Sequence, residues 1–248
     1  MSDPLHQFAI QKIVPLEIAG IDISFTNSSL WMMIAIVASI VFFAHAMKKK
    51  ALVPGRWQFV AESIYTLVAG LIKSNIGEKG KVYLPFIFTV FMTVMMGNLL
   101  GLIPWSFTYT SHIIVTAALA FMIFLTVVGI GVARHGVHFF GMFVPAGAPL
   151  WLMPLIIPIE VISYMVRPIT LSVRLFANMM AGHLMLKVIA GFSVAMLGLG
   201  SVGYAAAFIP AGVNVVLIGF EAFVALLQAY VFTLLACIYL KDTVEIHH

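Results

Sequence analysis

Apolar residues run along this chain in long blocks, interrupted by short clusters of lysine, arginine, glycine and proline. "LWMMIAIVASIVFFAHAM", residues 30 to 47, carries no Asp, Glu, Lys or Arg until Lys48, Lys49 and Lys50 end it. A block of this length crosses the roughly 30 Å hydrocarbon core of a bilayer as a helix, and a positive flank marks the cytoplasmic end. The first predicted span is residues 28 to 47. "YLPFIFTVFMTVMMGNLLGLIP", 83 to 104, predicts a second, with Pro85 in its first turn and Pro104 near its exit. "HIIVTAALAFMIFLTVVGIGVARHG" predicts a third over 112 to 134, ending at Arg134. Residues 55 to 75 differ: Arg56, Glu62 and Lys73 are mixed among apolar positions at helical spacing, which predicts a helix lying along the interface.

Two longer apolar segments follow, about 148 to 190 and about 203 to 240, separated by "GLGSVG". A 40-residue helix is about 60 Å long, twice the hydrocarbon thickness, so both helices must tilt, bend or leave the bilayer. Pro168 is the expected bend. Five crossings put the termini on opposite sides. Seven Lys or Arg fall between 48 and 81 and none in 105–111 or 191–203, so the N-terminus is expected outside. The fold class is thus an all-α integral membrane protein. It comprises an outer-side segment, 1–27, and one membrane domain, 28–248, ending in a tilted two-helix hairpin.

Composition sharpens this picture. Hydrophobic residues make up 62% and charged residues 9% of the 248 positions, where soluble chains carry about a quarter charged; the mean hydropathy is +1.11. The first 27 residues hold Asp3, Glu17 and Asp22 and no continuous apolar core, so no cleaved signal peptide is expected. A pI near 9.2 comes from basic residues beside the spans, where they orient the chain in lipid, and nucleic-acid binding is not expected. Cys237 is the single cysteine, which excludes an internal disulfide and a thiolate metal site and leaves it a packing role. Gly97 and Gly101 form a GxxxG pair, expected to pack closely against another helix.

Ionisable residues at membrane depth are expensive and normally face a bundle interior or a water-filled path. The last two helices hold Glu160, Arg167, Arg174, His183, Lys187 and Glu221. Glu160, Arg167 and Arg174 recur every seven residues and share one helix face. Around Arg174 that face carries Thr170, Ala177, Asn178 and Ala181, small enough for another helix to approach. A docking surface and a structural pair with Glu221 are both open readings of Arg174. A hairpin folded about residues 200 and 201 sets Arg174 level with residue 227, beside Gln228. It sets His183 level with 218, within a turn of Glu221. Histidine exchanges protons near neutrality, whereas arginine stays charged and can only attract or block. For Glu160, an exit-path role and an ion pair with Arg167 both stand open. Asn98 and His112 are candidate lining residues of an inlet path, and the other histidines and Lys187 are expected in solvated or snorkelling positions.

At these residues the chain resembles the a subunit of the F-type ATP synthase. "LSVRLFANMMAGH" resembles that family's signature around its essential arginine, "GFEAFVALLQAYVFTLLACIYL" its last helix, and "GNLLGLIPWSFTYTSH" a third block. The resemblance implies a proton-translocating stator subunit that is not itself an enzyme and needs no cofactor or nucleotide; no Walker-type phosphate loop appears. Its implied partners are the c-subunit ring, the peripheral-stalk b subunits, the rest of the complex and the lipid bilayer. Arg174 matches the essential arginine, Asn178 and Gln228 its polar partners, His183 and Glu221 the outer half-channel pair, and Glu160 the acidic residue near the inner half-channel. The histidine precedes the acidic residue here, as in mitochondrial and alphaproteobacterial members. The expected location is a bacterial inner membrane, with the mitochondrial inner membrane as the alternative. A secondary transporter of a small anionic solute is the competing function. It predicts internal repeats and matched broken helices, which the sequence lacks.

Overall fold

A backbone in hydrocarbon finds no water for its amides, and a helix satisfies them within its own turns. The apolar blocks accordingly fold as helices in the computed structural model, which describes residues 9–15, 17–18, 21–22, 24–48, 51–103, 106–144, 152–198 and 201–244. Lys49, Lys50, Pro104, His247 and His248 lie outside the described residues, as do positions 148–151, where the fourth apolar segment was expected to begin.

Among the described residues, four short strands precede the helices: β1 (Lys12–Val14), β2 (Glu17–Ile18), β3 (Ile21–Asp22) and β4 (Phe25–Thr26). They pair antiparallel as β1 with β4 and β2 with β3. Six α-helices follow among these residues: α1 (Asn27–Ala46), α2 (Arg56–Asn75), α3 (Leu84–Gly101), α4 (Ile113–His135), α5 (Met153–Leu197) and α6 (Ser201–Val244). Five are long and apolar enough to cross a membrane. The exception is α2, the segment read as interfacial.

Boundaries follow local chemistry. Thr26 caps α1, its hydroxyl accepting from the Ser29 amide at 3.4 Å. Gly77, beyond α2, has φ 76°, a left-handed value that favours glycine. The largest departure from the sequence expectation is the hairpin. Instead of ending near 190, α5 runs through Gly191 to Leu197, and α6 begins at Ser201. An exposed helical glycine costs only about 1 kcal/mol, less than leaving backbone groups unpaired in lipid. α5 also continues through Pro158 and Pro168, and α6 through Pro210, each giving up one helical N–H while the flanking turns keep theirs.

The described chain divides into two compact units. The first comprises Met1–Lys48, Met92–His112 and Leu175–Tyr230. Its core includes Val94, Met95, Leu175, Met179, Ala225 and Ala229. Gly97 and Gly101 do not receive another helix here. The Tyr109 ring packs where a Cβ on Gly97 would stand, and the Thr108 side chain would lie 2.6 Å from a Cβ on Gly101. The GxxxG face holds the loop that doubles back after α3. That loop is buried, and three of its side chains bond to main-chain carbonyls: Ser106 Oγ donates to that of Gly101 at 3.1 Å, Ser111 Oγ to that of Thr108 at 2.6 Å and the Tyr109 hydroxyl to that of Thr93 at 3.0 Å.

The second unit comprises Lys49–Phe91, Ile113–Arg174 and Val231–His248. Val68, Ile72, Ile87, Ile123, Phe139, Leu171, Phe232 and Leu240 form its core. Ala61, Val68 and Ile72 turn one face of α2 inward, while Trp57, Phe59 and Tyr65 are exposed. Gln58 ties the start of α2 to Ala51, donating to its carbonyl at 3.1 Å and accepting from its amide at 3.3 Å. Cys237 is fully buried, as its packing role requires.

Candidate functional site

Within the first unit, α5, α6, the end of α3 and the buried loop bring polar side chains together. His183 on α5 is 7% exposed and Glu221 on α6 is 5% exposed. Nδ1 of His183 lies 3.6 Å from Oε1 of Glu221. The hairpin therefore sets His183 against Glu221 rather than residue 218, a slip of less than one helical turn. Gly182 makes the approach possible: a Cβ there would stand 2.6 Å from Glu221 Oε1 and 2.9 Å from its Cδ, well inside normal contact distance.

The other ring nitrogen, Nε2 of His183, lies 3.0 Å from Oγ1 of Thr108. Thr108 is buried in the loop, and its hydroxyl donates to the Gly101 carbonyl at 3.3 Å. In the sequence Thr108 stands only as one residue of the block "GNLLGLIPWSFTYTSH", with nothing to single it out. Nothing in the spacing of Thr108 and His183, 75 positions apart, marks them as neighbours.

A second link joins α5 and α6, where Asn178 Nδ2 donates to Gln228 Oε1 at 2.9 Å. Asn98 is fully buried and donates from Nδ2 to the Ala225 carbonyl at 3.3 Å, so it braces α3 against the stretch of α6 between Glu221 and Gln228. His112 ends the loop, stacked on Phe107 with ring centroids 5.0 Å apart. Partial burial there pushes its pKa below the ordinary 6.5.

In the second unit Arg167 reaches α6. Its Nη1 donates to Asp242 Oδ2 at 2.7 Å, and the guanidinium lies 5.2 Å from the Tyr164 ring centroid and 5.4 Å from that of Tyr239. The ion pair weighed for Arg167 with Glu160 is thus replaced by one with Asp242. An antiparallel neighbour places a carboxylate beside the guanidinium, whereas a residue seven positions away on the same helix is roughly 10 Å distant along the axis. Glu160 is exposed. The sequence signal available for Asp242 was its place as an acid in the last turn of α6. Arg174 is also exposed and, among the described residues, has no carboxylate within ion-pair distance. The pair with Glu221 weighed for it does not form; Glu221 faces His183. Thr170, Ala177, Asn178 and Ala181 are exposed as well, leaving the small-residue stripe of α5 open in this chain.

Among the described residues, five helices long and apolar enough to cross a membrane, two of them bringing a buried His–Glu pair together, define a multi-pass membrane protein. The family model for the ATP synthase A chain matches residues 28–241, and the chain belongs to that family. It is 54% identical over 249 residues to the ATP synthase subunit a of Rhodospirillum rubrum, covering 100% of both chains. It is 50% identical over 246 residues to that of Parvibaculum lavamentivorans, covering 99% of this chain and 95% of the relative.

Proposed function

We propose that this chain is the proton-translocating stator subunit of a rotary ATP synthase in a bacterial inner membrane, with two offset half-channels kept apart by Arg174. The buried His183–Glu221 pair carries the reading. Two titratable groups 3.6 Å apart on neighbouring helices form a proton-exchange unit, and burying such groups at this depth is expensive enough to imply use. Membership of the ATP synthase A chain family supports it.

A proton from the outer side reaches His183 and Glu221 and passes to a carboxylate on an adjoining ring of c subunits. The neutral carboxyl can then enter lipid, which the charged form cannot do cheaply. Near the end of a turn it loses its proton along a path that Glu160 serves, and the bare carboxylate is drawn to Arg174. Arginine suits this place because it never gives up its proton, so it attracts the carboxylate and blocks leakage between the paths. The open small-residue stripe of α5 supports the ring-facing role, and Asn178 and Gln228 hold the helices at that level. Asn98 and His112 stand as lining residues of the inlet. The peripheral stalk holds the subunit still. No bond of ATP is made in this chain.

The test is coupled proton pumping by the purified complex in vesicles. Arg174→Ala and Arg174→Lys should each abolish ATP-driven pumping, with the amount of assembled complex little changed. Pumping at the normal rate by either variant would refute the assignment.

A further inference from the structure

We infer that Thr108 is a positioning residue for proton transfer, holding the His183 ring so that Nδ1 is presented to Glu221. The inference rests on the proposed role of His183 and Glu221 as a proton-exchange pair. Three observations carry it. First, Thr108 Oγ1 is within hydrogen-bond distance of His183 Nε2, at 3.0 Å, and of the Gly101 carbonyl, at 3.3 Å. Second, the threonine is buried, at 2% exposure, on a loop pinned by Ser106, Tyr109 and Ser111. Third, Gly101 has no side chain to keep Thr108 away, since a Cβ there would lie 2.6 Å from the same Oγ1.

The hydrogen inventory gives the arrangement direction. A hydroxyl has one hydrogen to donate, and a carbonyl can only accept. When Thr108 donates to Gly101, its lone pair accepts the Nε2–H of His183. A neutral imidazole has one N–H, so Nδ1 is left as the basic nitrogen, facing Glu221. In the transfer step the O–H bond of protonated Glu221 breaks and an N–H bond forms at Nδ1. The products are an imidazolium and a carboxylate, with Nε2–H still held by Thr108 and Nδ1–H facing Glu221. The reverse step returns the proton to Glu221 and restores the same tautomer. Without Thr108 the ring loses this orienting partner, and the other tautomer, which turns an N–H rather than a lone pair towards protonated Glu221, becomes competitive.

The test uses the whole complex in vesicles at matched assembled amount. Thr108→Val keeps the shape and removes the hydroxyl; Thr108→Ser keeps the hydroxyl. Proton-driven ATP synthesis should slow about fivefold in Thr108→Val, the size set by losing one buried hydrogen bond, and recover in Thr108→Ser. In a His183→Ala background, Thr108→Val should add no further loss. Imidazole nitrogen resonances of His183 should report the Nε2–H tautomer in the parent and Thr108→Ser, and a mixture in Thr108→Val. A normal rate in Thr108→Val, a full additional loss in the His183→Ala background, or an unchanged tautomer signal would each overturn the inference. If His183→Ala itself synthesises ATP at the parent rate, the exchange-pair reading fails first, and the inference with it. If Thr108→Val does not assemble, Thr108→Ser decides: the positioning role requires the parent rate and parent tautomer, and loss of either overturns it.

Discussion

Gly182→Ala tests the buried pair through a single methyl group. A Cβ at this position would stand 2.6 Å from Oε1, 2.9 Å from Cδ and 3.2 Å from Cγ of Glu221. Non-bonded heavy atoms settle at about 3.5 Å or more, so the carboxylate must retreat by about 0.9 Å. The obstructing atoms belong to the end of a flexible side chain. The backbone can therefore stay in place while Glu221 moves, and the stability loss should stay within about 1–3 kcal/mol, as for other insertions into packed cores. Transfer to His183 is affected more, because it starts from a separation of 3.6 Å and depends on alignment. A misplacement near 1 Å can cost up to about a hundredfold in rate, so proton-driven ATP synthesis should fall at least about tenfold. The assay is ATP synthesis in vesicles driven by an imposed proton gradient, with complex quantified in the same membranes. In a Glu221→Gln background Gly182→Ala should add little, since the group it displaces no longer carries a proton. A normal rate in Gly182→Ala, with the complex fully assembled, would refute both the geometry and the use made of it.

Arg167 and Asp242 join α5 to α6 by a partly exposed ion pair, which contributes about 0.2–1 kcal/mol, while the two tyrosine faces add about 0.5–1 kcal/mol each. Arg167→Ala should thus lower thermal stability by about 1–3 kcal/mol and Asp242→Asn by less; equal losses in the two would contradict the share given to the rings. His112 is held below its ordinary pKa by burial, so the folded chain binds fewer protons there than the unfolded chain just below pH 6.5. Its contribution to stability is full above that pH and declines as pH falls through this range, and melting curves of His112→Asn should lack this part of the acid sensitivity. Glu160→Gln should slow proton release in a way that recovers when the inner-side pH is raised; flux equal to the parent at every pH would eliminate the exit-path role proposed for Glu160.

Much of the architecture was legible because bilayer physics is one-dimensional at the level of sequence. Uninterrupted apolar length announces a crossing helix, and polar interruptions announce the ends, so the observed α1, α3 and α4 fall within a few residues of expectation. The end of α5 was not legible, because Gly191 punctuates a soluble helix far more strongly than one surrounded by lipid. The GxxxG pair was legible as a close approach but not as to its occupant; a glycine pair announces space, and only the returning loop shows that Tyr109 and Thr108 fill it.

The residues of the proposed site stand out in the sequence, since arginine, histidine and glutamate are rare against an apolar background. Their partners were decided only by tertiary structure. His183 meets Glu221 and Thr108, Asn178 meets Gln228, and Arg167 meets Asp242 rather than Glu160. The reason is geometric: helical periodicity fixes which residues share a face, but the register between two helices depends on where the turn between them begins. A shift of a few residues in that turn changes which side chains meet, and a loop folded back against α3 follows no period at all.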